Sequence, residues 1–357
     1  MKRKLAVVLT IFMLVSVLLP MHSFAAGDDK GLEKAIKTAK SYFDVPENYK
    51  LMSGYGSYEG KKVWNLSWYS DDGMDGSIDA SIDENGTLIH YSRYKPEYYQ
   101  DAQRKFPAVN KDEARVNAEN FIKKVNPSAF NSIKYQEDNY NSLIDYSYYF
   151  NYTRVVDNIP YHNNSISVSV HRDTGEVISY YSTWTDDLTF PDATKVIPIE
   201  NAQEAYVEKM GLKLIYQSAE IKGEIKIFPI YVPKYDNYSC AIDAITGEKI
   251  DISPFYDIYY GRSADMAMKQ DTMNEGGAGG EIMLSPEEEK EVREMSGLIS
   301  LEEAEKIVRD SSAVGIDEDM KLEYYSLNRD WYNKKDILWS LNFVYQPEKN
   351  ENEDYKY

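Results

Sequence analysis

The stretch that decides the fold reads Val170-His171-Arg172-Asp173-Thr174-Gly175-Glu176-Val177-Ile178-Ser179-Tyr180. It consists of a β-type run, a polar turn that contains a glycine, and a second β-type run. Glycine adopts the positive φ that a tight hairpin turn needs, and a neighbouring Asn or Asp tolerates the same region. The same phrase recurs at 82–91 and 242–251, which indicates a repeat protein. The phrase lacks a nucleophile, a metal-ligand cluster and a phosphate cradle, so it favours a binding or structural role.

A predicted helix precedes each phrase and marks the start of a repeat unit. Apolar residues recur at helical spacing from Gly31 to Phe43, and again after Asn110, Ile199 and Ser300. Asn110 and Ser300 each have a Glu three residues later, which is the spacing of a capping box. The fourth unit has two predicted strands and no glycine hairpin, so it is incomplete. The predicted domains are a signal peptide at 1–25, repeat units at 26–108, 109–196 and 197–256, a linker at 257–298, and an incomplete unit at 299–357.

The first 25 residues are predicted to be a secretory signal. Lys2-Arg3-Lys4 precedes an apolar run from Leu5 to Leu19, and Ser23-Phe24-Ala25 places small residues before a cleavage site after Ala25. An uncleaved anchor is the alternative, but the apolar run is shorter than the ~20 residues of a membrane-spanning helix. The sequence therefore predicts a secreted or envelope-associated protein without membrane insertion after cleavage.

The charge balance restricts the class of partner. The net charge is −19, and the signal contains three basic residues and no acidic ones, so the mature chain is still more acidic. An acidic chain is repelled by nucleic acid and by anionic membranes. Cys240 is the only cysteine, which excludes an internal disulfide, and its strand context predicts a small buried residue.

No catalytic constellation, metal site or cofactor site is predicted. There is no Gly-x-Ser-x-Gly elbow, and His90, His162 and His171 are isolated in sequence. His90 and His171 are predicted to be surface residues on strands. The acidic run from Asp71 to Asp79 could hold Ca²⁺ through carboxylate oxygens, but its spacing is not that of an EF-hand. A solvated hairpin loop is the favoured interpretation, and the calcium alternative stays open.

A family resemblance rests mainly on residues 154–191. In order, this stretch contains Arg154-Val155-Val156-Asp157-Asn158-Ile159-Pro160-Tyr161, the strand Ser165–Val170, Asp173-Thr174-Gly175-Glu176-Val177, Trp184 and Phe190-Pro191. With the preceding helices, the mature chain resembles the YcdB/YcdC repeat family of secreted bacterial proteins. The strand–Thr-Gly-Glu–strand element is similar to the PepSY module, which is thought to restrain peptidases. The resemblance implies an α+β fold of tandem units, each with one helix packed on a short antiparallel sheet (PepSY/cystatin-like), and implies no catalytic residues.

The predicted function is non-enzymatic protein–protein interaction in the cell envelope, with inhibition or regulation of a secreted peptidase as one form. The predicted binding residues form a polar-aromatic corner before a strand: Tyr161, His162, Asn163 and Asn164. A cell-wall or glycan-binding structural module is the alternative, because rings alternate along two strands, as at Trp64 and Trp68. The favoured interpretation of these two rings is burial of that sheet face against a helix. A secreted hydrolase is the third possibility.

Overall fold

The computed structural model describes residues 11–12, 29–58, 61–71, 75–100, 106–137, 145–235, 239–252, 282–330, 333 and 335–345. The predicted signal peptide lies almost entirely outside these residues, as do much of the predicted linker and the C-terminal tail after 345. The chain divides into two compact units, residues 187–266 and the remainder.

The described strands, in chain order, are β1 Ile11–Phe12, β2 Lys50–Tyr58, β3 Lys61–Tyr69, β4 Ser77–Asp83, β5 Leu88–Tyr94, β6 Ile133–Gln136, β7 Ser147–Val156, β8 Ile159–His171, β9 Val177–Thr183, β10 Leu212–Ile221, β11 Glu224–Pro233, β12 Cys240–Ile242, β13 Lys249–Asp251, β14 Met320–Arg329 and β15 Ile337–Tyr345. The described helices are α1 Asp29–Tyr42, α2 Glu97–Gln100, α3 Lys111–Val125, α4 Pro127–Phe130, α5 Ile199–Ala205, α6 Pro286–Met295 and α7 Leu301–Asp310. Short helical turns also occur at Ala193–Lys195 and Tyr206–Met210.

The predicted fold class is wrong, because the strands do not form separate short sheets under one helix each. One antiparallel sheet has the order β1-β15-β14-β2-β3-β4-β5-β9-β8-β7-β6 and joins strands from predicted units 1, 2 and 4. The first unit meets the second where β5 pairs with β9, from His90↔Tyr181 to Ser92↔Ser179. An edge strand has unpaired N–H and C=O groups, and pairing with the edge of the next unit satisfies them. The protein is therefore mostly β, with few helices on a large continuous sheet.

The fourth unit joins the same sheet through two glycines of β2. β14 pairs with β2 at Ser326↔Gly56 and Leu327↔Tyr55. A Cβ atom on Gly56 would lie 2.8 Å from the Tyr325 carbonyl oxygen, and one on Gly54 would overlap the Asn328 side chain. Glycine is required where another backbone approaches this closely. Gly54 and Gly56 therefore serve strand pairing and not phosphate binding.

Two amphipathic helices cover the sheet of the larger unit. α1 packs against β3 and β4, and α3 packs against β7, β8 and β9. Their apolar residues join one buried cluster that includes Ile36, Trp68, Ile122 and Phe150. The predicted capping box at Asn110 is present and starts α3. A second, smaller cluster lies between α7 and β15.

The unit at 187–266 has a different construction. Its described strands form two separate two-stranded sheets, β10 with β11 and β12 with β13. Every residue of α5 is described and none of them is buried, although Met210 at the end of the following turn is buried. A helix without a buried apolar stripe gives little cover to a sheet.

Candidate functional site

A large exposed apolar surface lies on the β10–β11 hairpin. Lys222 and Gly223 have φ values of 56° and 81° and close a two-residue turn. Ten residue pairs follow, from Ile221↔Glu224 to Leu212↔Pro233, with no register shift. Because side chains alternate between the faces of a strand, directly opposed residues share one face. The register therefore determines which side chains of the hairpin lie together.

One side of this hairpin, which we call the hairpin face, is almost entirely apolar. Its six large side chains are between 55% and 80% exposed. They are Leu212, Leu214, Tyr216, Ile225, Ile227 and Tyr231. The opposite side includes the exposed Lys213, Gln217 and Lys226. It also has five large apolar side chains, which are at most 40% exposed: Ile215, Ile221, Phe228, Ile230 and Val232. The most accessible apolar side chains of the hairpin therefore lie on the hairpin face.

The edge of β11 is poorly suited to pairing with another strand. β11 contains Pro229 and Pro233, which have no N–H to donate. The ladder runs through Pro229 without a register shift, as expected if the missing N–H faces away from β10. Prolines on an edge prevent strand addition. A partner of β11 would therefore contact its apolar face and not its backbone edge.

The predicted corner at Tyr161–Asn164 forms a bulge in β8. Asp157 and Asn158 turn the chain with φ values of 51° and 64°, and Tyr161 pairs with Arg154. The next pair is Ser165 with Thr153, so the register shifts by three residues of β8 between two consecutive residues of β7. A bulge re-aims side chains and ends regular pairing. The structure thus brings the four predicted residues together at one irregularity.

Only part of this corner is accessible. Asn164 is 2% exposed; its Nδ2 donates to the Thr185 carbonyl oxygen at 2.8 Å, and its Oδ1 accepts from the Thr185 N–H at 3.3 Å. Arg154 donates to the same carbonyl at 2.8 Å. Asn164 therefore holds the chain after β9 in place, whereas His162 and Asn163 are exposed. A binding role for the corner stays a prediction and concerns its two exposed residues.

The three hairpin phrases each receive a hydrogen bond from the helical segment before them. Tyr42 Oη donates to the Gly86 carbonyl oxygen at 3.4 Å, and Asn117 Nδ2 donates to that of Gly175 at 2.9 Å. In the third phrase, Lys209 Nζ donates to the Gly247 carbonyl at 2.8 Å. The turn glycine thus docks the helix of its own unit, and we call this contact the helix latch. The phrases therefore serve scaffold geometry.

The second phrase contains His171, which the sequence assigned to the surface but which is 4% exposed. Its Nδ1 accepts from the Thr174 N–H at 3.2 Å, and its ring stacks on Tyr98 with centroids 4.6 Å apart. Tyr98 Oη donates to Glu176 at 2.7 Å. Burial raises the pKa of Tyr98, and the bond to Glu176 raises it further. Burial alone would raise the pKa of Glu176, but hydrogen bonds from Tyr98 and Lys95 outweigh it and lower that pKa.

The predicted family is confirmed over the part of the chain that contains the first two phrases, the corner and two helix latches. The family model described as "YcdB, YcdC repeated domain" matches residues 32–184. Residues 32–184 form a YcdB/YcdC repeated domain. No curated protein matches the chain at a significant level.

Two solved structures have a weak similarity to this chain. The Bacillus megaterium YpeB C-terminal domain is 16% identical, covers 61% of this chain and 94% of its own length, and has a TM-score of 0.36. The crystal structure of MucB is 10% identical, covers 58% of this chain and 77% of its own, and has a TM-score of 0.10. These TM-scores do not establish a shared fold. They therefore support neither a role for the hairpin face nor the PepSY resemblance.

Other predicted features of the chain have structural explanations. Trp64 and Trp68 are buried in the core, so they cannot form an exposed ring platform. In the acidic run, Asp71 pairs with Lys50, and Asp79 accepts from Ser67 Oγ at 2.6 Å. Among the described residues, no group of acidic, His or Cys side chains is placed to hold a metal ion. No helix in the described part of the chain is long and apolar enough to span a membrane.

Sequence reasoning missed the hairpin face because it treats apolar alternation in a strand as a sign of burial. The strands themselves were predicted at Leu212–Gln217 and Ile225–Val232. The available signal was the weakness of the preceding helix. α1 and α3 have four or more buried apolar residues each, whereas α5 has none. A unit with apolar strands and a polar helix leaves a sheet face without its usual cover.

Proposed function

We propose that this YcdB/YcdC repeat protein is a secreted, non-enzymatic interaction protein of the cell envelope, and that the hairpin face binds a protein partner. The observation that carries the proposal is the group of six apolar side chains, each more than half exposed, on one side of β10–β11. A contiguous exposed apolar patch on a protein surface commonly marks an interaction site.

The dimensions of the hairpin suit a protein interface. Ten residues per strand extend for roughly 33 Å at about 3.3 Å per residue. Removing apolar surface from water is favourable by about 25 cal/mol per Å². The regular ladder fixes the backbone positions from which the side chains of the hairpin face project, so little backbone entropy is lost on binding. The face therefore offers both a driving force and a preformed shape.

The chemistry of the hairpin face favours protein over glycan. Four of its six large side chains are aliphatic, namely Leu212, Leu214, Ile225 and Ile227. Glycan platforms rely on rings, and here the rings are Tyr216 and Tyr231. Aliphatic side chains instead pack into the apolar surface of another protein. The PepSY resemblance makes a secreted peptidase one candidate class for this partner, and the cell wall is the alternative target.

The test compares two double variants of the full-length protein. Leu214 and Tyr231 are opposed on the hairpin face, so Leu214→Ser with Tyr231→Ser removes its centre. Gln217→Ser with Lys226→Ser changes the same strands on the opposite side and is the matched control. Each protein is immobilised and exposed to culture supernatant and to solubilised envelope. A partner is then purified, and its affinity for each variant is measured.

The proposal expects one purified protein that binds the wild type and the control alike and binds the face variant at least ~10-fold more weakly, about 1.4 kcal/mol. Equal binding to all three would exclude the hairpin face. Retention of all three on purified peptidoglycan, without a protein partner, would favour the wall alternative. Hydrolysis of peptide or glycan by the pure protein that is lost in His162→Ala or Cys240→Ala would contradict the non-enzymatic role.

A further inference from the structure

Helix α6 is attached to the larger unit by two buried carboxylates. Ser285 caps the helix in a full capping box, and Pro286 begins it. Glu288 and Glu291 are 1% and 4% exposed. Residues three apart lie on the same side of a helix, so both carboxylates point to one surface. Carboxylates are rarely buried unless they are paired, so their partners explain why the helix lies here.

Glu288 is bound by groups from two other elements. Its carboxylate accepts from Lys40 Nζ of α1 at 2.8 Å and from Trp68 Nε1 of β3 at 3.0 Å. The same side chain also accepts from the Ser285 N–H at 2.7 Å, which closes the capping box. Lys40 additionally donates to the Met283 carbonyl oxygen at 3.0 Å. The start of α6 thus lies in a ready-made set of donors.

Glu291 occupies a gap in the large sheet. β14 pairs with β2 at Tyr55 and Gly56. At Ser53, the backbone N–H instead donates to a side chain of α6. The Glu291 carboxylate accepts from the Ser53 N–H and from Ser53 Oγ, both at 2.8 Å. Arg329, at the end of β14, binds the same carboxylate at 2.5 Å. A side chain here does what a paired strand does elsewhere, namely satisfy an edge N–H.

The groove that holds α6 binds the helix mainly through polar contacts to two glutamates, and less through apolar packing. Its donors are Lys40, Ser53, Trp68 and Arg329, which come from four separate elements. The buried apolar contribution of α6 is Met295 at its end, with Val292 half-buried. A buried ion pair adds little net stability compared with an apolar contact of the same size, although it imposes specific geometry. Specificity for two carboxylates is what such a groove provides.

We propose that α6 is a built-in ligand, and that its groove is a binding site for an acidic helix with glutamates at i and i+3. A partner segment with this pair of carboxylates displaces α6 and occupies the same donors. An isolated ten-residue helix is marginal in water, so α6 is helical mainly while docked. Because α6 is covalently tethered, it competes at an effective concentration of about millimolar, and an external segment binds well only when α6 is weakened.

The experiment uses the full chain and a labelled peptide with the sequence of residues 282–298. Glu288→Ala with Glu291→Ala removes the two buried carboxylates of α6 and keeps all four donors, of which Arg329 still pairs with the partly exposed Glu294. The peptide is expected to bind this variant at least ~10-fold more tightly than it binds the wild type. A peptide with glutamine at both positions should bind at least ~10-fold more weakly. Glu289→Gln, which alters an exposed residue of α6 paired with Arg293, should behave as the wild type does.

A second measurement uses the unmodified protein, so it tests the proposal even if the double-Ala variant does not fold. The Ser53 N–H and the amides of α6 should exchange with solvent at least ~10-fold faster than the amides of β3, because α6 leaves without unfolding the sheet. Exchange of α6 together with the core would overturn the proposal, as would a folded double-Ala variant that does not bind the peptide. Neither result affects the hairpin face, which lies in the other unit.

Discussion

Gly56→Ala should separate the fourth unit from the sheet. The new Cβ would lie 2.8 Å from the Tyr325 carbonyl oxygen and 3.3 Å from Ser326 Cα, which are backbone atoms that cannot rotate away. Forcing one extra methyl into a tight site costs about 1–3 kcal/mol. We expect the free energy of unfolding of the larger unit to fall by about 2 kcal/mol, since β14 must move as a whole.

The assay is urea unfolding followed by tryptophan fluorescence. All five tryptophans lie outside 187–266, so the signal reports the larger unit: Trp64, Trp68, Trp184, Trp331 and Trp339. Gly297→Ala is the matched control, because a Cβ there meets nothing within 4 Å. At such a position, Gly→Ala is neutral or stabilises by about 0.4–1 kcal/mol through the unfolded chain. Equal midpoints for the two variants would show that β14 and β2 are not in close contact, and the continuous sheet would be refuted.

Three further predictions concern the corner, a helix latch and the tyrosines. Asn164→Ala should lower the free energy of unfolding by about 1–3 kcal/mol because it removes both hydrogen bonds to the backbone of Thr185 and leaves the Thr185 N–H without this acceptor, whereas exposed His162→Ala should change the urea midpoint very little. Asn117→Ala should lower the free energy of unfolding by about 1 kcal/mol because it removes the helix latch to Gly175. Asn120→Ala on the same helix is the control, and equal urea midpoints for these two variants would count against the helix latch. Burial raises the pKa of Tyr91 from 10.0 to about 12. This folded-state pKa is above the unfolded value, so the contribution of neutral Tyr91 to the free energy of unfolding is complete below pH 10 and is lost as the pH rises from 10 to about 12. Tyrosinate absorbance that develops fully near pH 10 without unfolding would contradict this raised pKa.

Local structure could be predicted because its causes are local. The glycine turns at 86, 175 and 247 all have positive φ, as a tight hairpin requires. The capping boxes at Asn110 and Ser300 start α3 and α7. Alternation in β3 correctly indicated that Trp64 and Trp68 pack inward. Each of these features depends on residues within a few positions of one another.

The merging of the units could not be predicted, because periodicity shows which side chains face the core and not which strand edges meet. The pairing of β5 with β9 and of β14 with β2 depends on backbone groups that every residue has. For the candidate site, the four corner residues are consecutive in sequence, and the bulge at which they lie was not predicted. The burial of Asn164 depends on Thr185, twenty-one residues later, and no pattern around Asn164 reveals that contact.

Residues 257–298 include two charged side chains, Glu288 and Glu291, whose burial could not be predicted from the surrounding sequence. Glycines and a run of glutamates are typical of a solvated linker, yet α6 within this range packs against β2 and α1. The buried positions of Glu288 and Glu291 depend on Lys40 and Arg329, which are more than thirty residues away from them in sequence. Charge is normally a sign of exposure, and only the location of the partner charges reverses it here.

The position of β14 beside β2 has a consequence for the order in which the protein folds. The contact between Tyr325 and Ser57 joins residues 268 apart. During synthesis, β14 is made long after β2, so this edge of β2 has no partner strand until β14 emerges. Contacts of such long range slow folding, and an open strand edge during that time invites pairing with another chain. A chaperone that shields nascent strands would therefore matter most for this protein after β2 emerges and before β14 does.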